Sequence, residues 1–356
     1  MAVAAAIVLV VVLEGFKVGL WQQIRAYRQH LEVQLVAVPA GSSSTLQVRS
    51  AISPSVVEQV SYVPGVRRVY PLVSVPSIFV RGDKKTPIVV IGYDMAGGPW
   101  RLATGRPVGA PGEIVMDRSL AKKYGLTMGD QVTVMGKDFH LVGLSTDTAS
   151  LLGSYVFVGL QDALALSSAG MTPQEAAGKG VPNLLLIEVV PDAKVSQVQD
   201  ALEAAVPPVD VVTPEELASR DVAMVRELLG SVLNLMVGVA YVVGVLVIGL
   251  TLYASVLERV QEYGVMKALG ARNGRLYRYV LGQGFIFTSL GFVLGIVVSL
   301  GVAALLTWLM PQYQVSPLDA QVLLRAAVAV MLMGAVASLL PIRQVAGVDP
   351  AQVFKR

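Results

Sequence analysis

The sequence has no cysteine and only two histidines among its 356 residues. The first absence removes disulfides, thiolate metal sites and cysteine nucleophiles, and leaves the redox compartment open. The histidines, His30 and His140, stand in no HExxH or comparable ligand spacing, so each reads as an ordinary surface or strand histidine. No GxxxxGK[ST] occurs, and the chain therefore has no phosphate loop with which to cradle a nucleotide. There is no GxSxG elbow, and the long apolar runs carry none of the His, Asp or paired acids of an intramembrane hydrolase. No catalytic, metal or cofactor-binding residue is assigned. Charge is scarce too: 15% of residues are charged, against roughly 25% in an average soluble domain. The net charge is only +3, and the basic residues are scattered or sit beside apolar segments. That leaves no clustered patch for nucleic acid.

What the chain has in abundance is apolar sequence, 54% of the total, unevenly spread. Residues 28–227 have the mix of a globular domain, whereas 228–342 are almost wholly apolar. A membrane helix needs about 20 mostly apolar residues. Three runs meet this: one between Glu227 and Glu258, one between Arg278 and Asp319 ended by Pro311, and one between Arg325 and Arg343 lengthened by Leu323 and Leu324. Such lengths argue against buried core helices. A fourth run, AVAAAIVLVVVL, meets Glu14 early. A signal peptide needs a basic start and a small-residue cleavage site, and no Lys or Arg precedes Lys17. The preferred reading is a first span continuing through Gly15, Phe16, Val18, Leu20 and Trp21. Glu14 would pair with Lys17 near the outer interface, with Lys17 snorkelling, as a boundary pair without a transport role. The lack of a basic flank before Met1 leads us to expect a native start further upstream.

Orientation follows from basic residues in short loops. The 255–279 loop carries Arg259, Lys267, Arg272, Arg275 and Arg278, and the tail carries Arg343, Lys355 and Arg356, whereas 311–321 has none. Both termini are expected in the cytoplasm and residues 28–227 outside it. Within that outer domain, strands are expected at 31–38, 86–92, 113–117, 155–158 and 184–190, and helices after Ser53, over SLAKKY up to Gly125, and over 195–205. A hairpin is expected about Gly136 and Lys137. TPEE at 213–216 reads as a helix start, with Thr213 as cap, Pro214 in the first position and Glu216 closing a capping box. The helix would run on into the membrane as a stalk. The expected fold is an α-helical membrane domain of four transmembrane helices in a one-plus-three arrangement, with an inserted α+β extracytoplasmic domain. Its parts are a first helix at 1–27, the outer domain at 28–212, stalk and second helix at 213–254 and a cytoplasmic loop at 255–278. A third helix at 279–310, an outer loop at 311–322, a fourth helix at 323–342 and a tail at 343–356 complete it. Gly291 with Gly295, and Gly334 with Ser338, form small-xxx-small steps that allow close helix packing or a dimer face.

The loop LERVQEYGVMKALGARNGRLYRYV at 257–280 sets Tyr263, Val265, Met266 and Leu269 among charges. This pattern suits a short helix lying on the membrane surface, or a coupling helix seated in a partner. SVLERVQEYGVMKALGARNGRLYRYVLGQ, followed by a Gly-rich apolar run, resembles the cytoplasmic signature of FtsX-like, MacB-type permeases of the macrolide-export and lipoprotein-release class of ABC transporters. PGEIVMDRSLAKKYGLTMGDQVTVMGKDFHLVGL at 111–144 resembles that family's extracytoplasmic core, and PIRQVAGVDPAQVF at 341–354 its cytoplasmic tail. The resemblance implies a working unit of two copies of this chain with two copies of a separate ABC ATPase that binds the ATP. It maps the coupling contact onto Glu262, Tyr263, Gly264, Val265, Met266, Lys267, Ala268, Leu269 and Gly270. It further implies a cell-membrane location, lipid contacts, and mechanotransmission: ATP-driven closing carried along stalk helices to the outer domain, without a conventional central channel. The family's amphipathic cytoplasmic helix before the first span is missing, which bears on the native start. The expected role is export or extraction of an amphiphile, with the substrate open among lipid, lipoprotein, drug, peptide and haem. A signalling or scaffold subunit regulating an extracytoplasmic partner protein is the alternative, and a membrane receptor without an ATPase is a third reading.

Overall fold

The computed structural model describes residues 1–42, 44, 51–149, 153–168, 181–269, 271–310 and 313–339. Gly270 and the tail at 343–356, with Arg343, Lys355 and Arg356, lie outside the described residues. The chain divides into two compact units, one holding Leu20–Leu228 and the other Met1–Gly19 with Leu229–Met310 and the residues from Gln314 onward.

The first of these is a sheet domain entered by the last turns of helix α1 (Ala2–Gln29). In chain order it contains β1 (Leu35–Pro39), α2 (Pro54–Ser61), β2 (Val66–Arg81), β3 (Lys84–Tyr93), β4 (Leu102–Gly105) and β5 (Glu113–Asp117). Then come α3 (Arg118–Tyr124), β6 (Gln131–Val134), β7 (Lys137–Ser145), β8 (Ser154–Gly159), α4 (Leu160–Ser168), β9 (Leu184–Val189), α5 (Val195–Ala205) and β10 (Val209–Val212). The strands form one ten-stranded sheet in the order β10-β1-β9-β2-β3-β8-β5-β7-β4, with β6 hairpinned on β7. Most neighbours are antiparallel, and β3–β8 and β5–β7 run parallel. This matches the α+β expectation. Strand β5 and helix α5 occupy the expected residues, and Gly125 closes α3 in the left-handed region at φ 63°.

Two differences have clear physical causes. The hairpin turns on Met135 and Gly136, both at positive φ, so Lys137 is the first residue of β7 and pairs with Val134. Strand β2 escapes sequence reasoning because Pro71 and Pro76 interrupt it. From Val66 to Leu72 it pairs with β9, and from Val73 to Arg81 with β3 on its other edge. Each half therefore has one strand neighbour, and a proline without an N–H can stand at the unpaired edge without breaking a ladder bond. Three buried clusters fill the domain, centred on Phe139 and Met116, on Tyr27 and Phe157, and on Leu35 and Leu202.

The helical unit contains the start of α1 and most of α6 (Pro214–Glu258), with α7 (Val260–Ala268), α8 (Asn273–Leu309) and α9 (Ala320–Ala337). Helices α1, α6, α8 and α9 are each long and apolar enough to cross a membrane. One precedes the sheet domain in the chain and three follow it. The unit's core draws Ile7 and Val10 from α1, Ala240 and Ile248 from α6, and Val322, Val330 and Met333 from α9. Helix α9 starts at Ala320, before the expected Leu323, because Asp319 caps it by accepting from the amides of Gln321 and Val322 at 2.9 and 3.4 Å.

Close packing here depends on glycine. A Cβ on Gly291 would stand 2.6 Å from Val3 Cγ1, and one on Gly295 2.6 Å from Ile7 Cγ2, so this GxxxG step receives α1 of the same chain. Gly334 faces Thr288 of α8 in the same manner, and the buried Ser338 bonds the carbonyl of Ala335 at 2.7 Å. A second GxxxG step, Gly15 and Gly19 on α1, was not recognised from the sequence. Ser316 N donates to Gly15 O at 3.1 Å, and a Cβ on Gly19 would lie 2.1 Å from the Gln314 carbonyl oxygen. The segment 314–317 thus lies directly on the α1 backbone.

Candidate coupling site

Helix α6 stops at Glu258 because Arg259 leaves helical geometry, at φ −109° and ψ 14°, and α7 begins anew at Val260. The short helix suits its own dipole, with Glu262 in the first turn and Lys267 in the last. One face is anchored. Tyr263 and Gly264 are buried, and Tyr263 packs with Val256 of α6 and Leu276 and Val280 of α8, flanked by Met266 and Ala271. The Tyr263 hydroxyl donates to Gln283 Oε1 at 3.3 Å, and the Gln283 amide donates to Ser255 Oγ at 2.8 Å. These bonds join α6, α7 and α8. Burial pushes the Tyr263 phenol above its ordinary range.

The opposite face is open. Gln261, Glu262, Val265, Ala268 and Leu269 are exposed, with Leu269 at 83%, and they recur at helical spacing as a mixed acidic and apolar stripe. Of the residues expected at the coupling contact, Glu262, Val265, Ala268 and Leu269 therefore lie on the surface. Tyr263 and Gly264 are interior, Met266 and Lys267 are half-buried, and Gly270 lies outside the described residues. Sequence reasoning missed Ser255, Leu276 and Gln283. A signal was present, since Gln283 is a lone amide in an apolar run.

The sheet domain holds a second feature absent from the sequence reading. The ends of α1 and α6 inside it are joined by an ion pair between Arg28 Nε and Asp221 Oδ2 at 3.3 Å, with both side chains about nineteen-twentieths buried. Ser44 Oγ donates to the other Asp221 oxygen at 2.6 Å. Around this pair, Arg25 approaches Glu215 at 3.6 Å, the Gln29 amide donates to Glu215 at 3.2 Å, and Arg226 lies 5.7 Å over the Trp21 ring. Tyr27 donates to Gly97 O at 2.8 Å and so roots α1 in the sheet domain. At the start of α6, Glu216 N donates to Thr213 Oγ1 at 3.2 Å as expected, while the Glu216 carboxylate pairs with Arg220 at 3.0 Å instead of returning to the cap.

Two family models match the chain. Residues 1–205 match the MacB-like periplasmic core domain, and residues 234–350 the FtsX-like permease C-terminal domain. The chain belongs to the MacB-type, FtsX-like family of ABC transporter permeases. It is 26% identical over 356 residues to an ABC transporter permease of Mycobacterium bovis, covering 99% of this chain and 91% of that one. It is 27% identical to the Bacillus subtilis permease YknZ over 145 residues, 41% of this chain and 36% of YknZ. It is 30% identical over 126 residues to a macrolide export ATP-binding/permease protein MacB of Hahella chejuensis, 35% of this chain and 18% of that protein. Among solved structures, the periplasmic region of MacB from Actinobacillus actinomycetemcomitans aligns with a TM-score of 0.38 at 13% identity, covering 54% of this chain and 94% of that one. The permease is thus a membrane protein with a domain of the periplasmic core type.

Proposed function

We propose that this permease is the non-catalytic membrane subunit of an ATP-driven exporter or extractor of amphiphiles, and that α7 is its contact with a separate ABC ATPase. The observation that carries the reading is the two-faced build of α7. Its inner face is bonded to α6 and α8 through Tyr263, Gln283 and Ser255, and its outer stripe of Glu262, Val265 and Leu269 is open to a partner groove. A push on that stripe reaches two membrane helices at once. In this reading two copies of the chain work with two ATPase copies, which bind the ATP, and the chain itself carries no cofactor. Both termini are cytoplasmic, the four helices span in a one-plus-three arrangement and the sheet domain is outside. Closing of the ATPase dimer is transmitted along α6, a 45-residue helix and so about 67 Å long, to its root at Asp221.

The test is to co-express the chain with its ATPase and change the outer stripe. Leu269→Asp with Val265→Asp is expected to abolish ATPase co-purification while the chain still reaches the membrane. Met266→Asp and Lys267→Glu also weaken the contact, but Met266→Asp additionally disturbs the Tyr263 cluster. Normal assembly and turnover in the Leu269 and Val265 double variant would refute the assignment. Turnover governed only by an extracytoplasmic protein, with no response to amphiphiles, would favour the signalling role instead.

A further inference from the structure

Within the helical unit, Glu14 is buried at 3% exposure, and its carboxylate is shared by three helices. Tyr241 of α6 donates to Oε1 at 2.9 Å, Lys17 Nζ stands 3.0 Å from Oε2, and Arg325 Nη1 of α9 reaches the same oxygen at only 3.9 Å. The pair expected from the sequence therefore forms, but as part of a cluster with two cations and one anion. The Lys17 side chain is 13% exposed, and that of Arg325 is 52% exposed. Among the described residues, Arg325 has no other ion pair and makes no hydrogen bond, although its guanidinium carries five donors.

Depth is set by the neighbours. Arg325 lies in the second turn of α9, and Ser316, in the segment joining α8 to α9, bonds the carbonyl of Gly15, the residue after Glu14. The cluster therefore stands level with the start of α9 and the segment before it, which on the reading that these helices span the membrane is headgroup depth. A half-exposed guanidinium at that depth is within reach of headgroup oxygens as acceptors. Phosphate fits such a fork in two-pronged fashion.

We propose that Arg325 and Lys17 form a binding site for the anionic phosphate headgroup of a membrane lipid, with Glu14, held by Tyr241, competing with the phosphate for the two cations. The proposal rests on the reading that these helices span the membrane. It makes an unusual sign prediction: removing Arg325 weakens binding of the anionic lipid, whereas removing the competing charge of Glu14 strengthens it.

The experiment is native mass spectrometry of the full chain in detergent with phosphatidylglycerol or phosphatidylcholine added, comparing wild type with Arg325→Gln, Arg325→Lys and Glu14→Gln. The wild type is expected to retain phosphatidylglycerol preferentially. Arg325→Gln should lower that retention about fivefold, the loss of one cation near an anionic surface. Arg325→Lys, which keeps the charge without the fork, should fall between the wild type and Arg325→Gln, and Glu14→Gln should raise retention. Equal retention of both lipids by the wild type overturns the site, as does parallel weakening by Arg325→Gln and Glu14→Gln, which is the mark of a merely structural cluster. Displacement of phosphatidylglycerol by inorganic phosphate would place the ligand in the aqueous phase and overturn the lipid assignment. Carbonate extraction of membranes, run separately, tests the spanning itself: a chain that stays in the pellet yet does not distinguish the lipids sinks only the headgroup site.

Discussion

In the sheet domain, Gly125 and Gly136 hold φ of 63° and 81°, and a Cβ on either would meet nothing within 4 Å. In the helical unit, Gly19, Gly291 and Gly295 have ordinary helical backbones, yet a Cβ on them would come within 2.1, 2.6 and 2.6 Å of neighbouring atoms. At these positions glycine serves conformation in the sheet domain and space in the helical unit, although the sheet domain uses it for space as well, a Cβ on Gly92 or Gly143 meeting atoms at 2.1 and 2.4 Å. Between the turn glycines and the helix-packing ones, the difference follows from the solvent each unit is built for. Strands in water gain by burying apolar faces and need glycine to reverse the chain, whereas helices in lipid gain nothing from apolar burial against each other and associate by approaching closely. Charge is handled differently as well. The domain buries Arg28 and Asp221 as a pair with a serine satisfying the remaining oxygen, while the helical unit leaves Arg325 half open.

The largest expected effect lies in the buried pair. Asp221→Ala removes the carboxylate paired with the buried Arg28 guanidinium and should destabilise the full chain by about 3–5 kcal/mol in thermal unfolding, while Arg28→Met with Asp221→Leu should recover most of that loss. A double variant as unstable as the single would show that the pair does more than neutralise itself.

Next comes the glycine contrast. Gly19→Ala should cost about 3 kcal/mol because the neighbour is a backbone carbonyl that cannot rotate away. Gly125→Ala should cost only about 1 kcal/mol, the strain of a left-handed alanine. Equal melting shifts for the two variants would erase the distinction between space and conformation.

The smallest effect is electrostatic. Hydrogen bonds from the Arg106 guanidinium, and then from the amides of Gly109 and Ala110, lower the Glu113 carboxyl from 4.5 to about 2. A carboxyl lowered on folding favours the folded state above its unfolded value. Its contribution should be whole above about pH 4.5 and fade as pH falls towards 2. A pH series of melting temperatures on wild type and Glu113→Gln checks this, and identical acid limbs would remove Glu113 from the account.

Legibility also differed between the units. Length and hydropathy alone identified three of the four long apolar helices, since a segment that long and uncharged has few alternatives, whereas the first, broken by Glu14 and Lys17, was only the preferred reading of a shorter run. The α7 helix was legible from its glycines and charges, but which face it buries was not, because that depends on Val256, Leu276, Val280 and Gln283 in the flanking helices. In the sheet domain, β5, α3 and α5 were readable from local pattern and capping. Strand β2 was hidden by prolines that are tolerable only where one edge lacks a partner.

By itself the sequence determined composition-level facts: the apolar runs, the missing nucleotide loop, the cap at Thr213 and the FtsX-like signature. All of these depend on residues close together in the chain. Tertiary structure alone decided that Gly291 and Gly295 receive α1, that Arg28 meets Asp221, and that the Glu14–Lys17 pair gathers Tyr241 and Arg325. Most of these contacts join residues far apart in sequence, and their partners are selected by distance and desolvation, which no local pattern encodes.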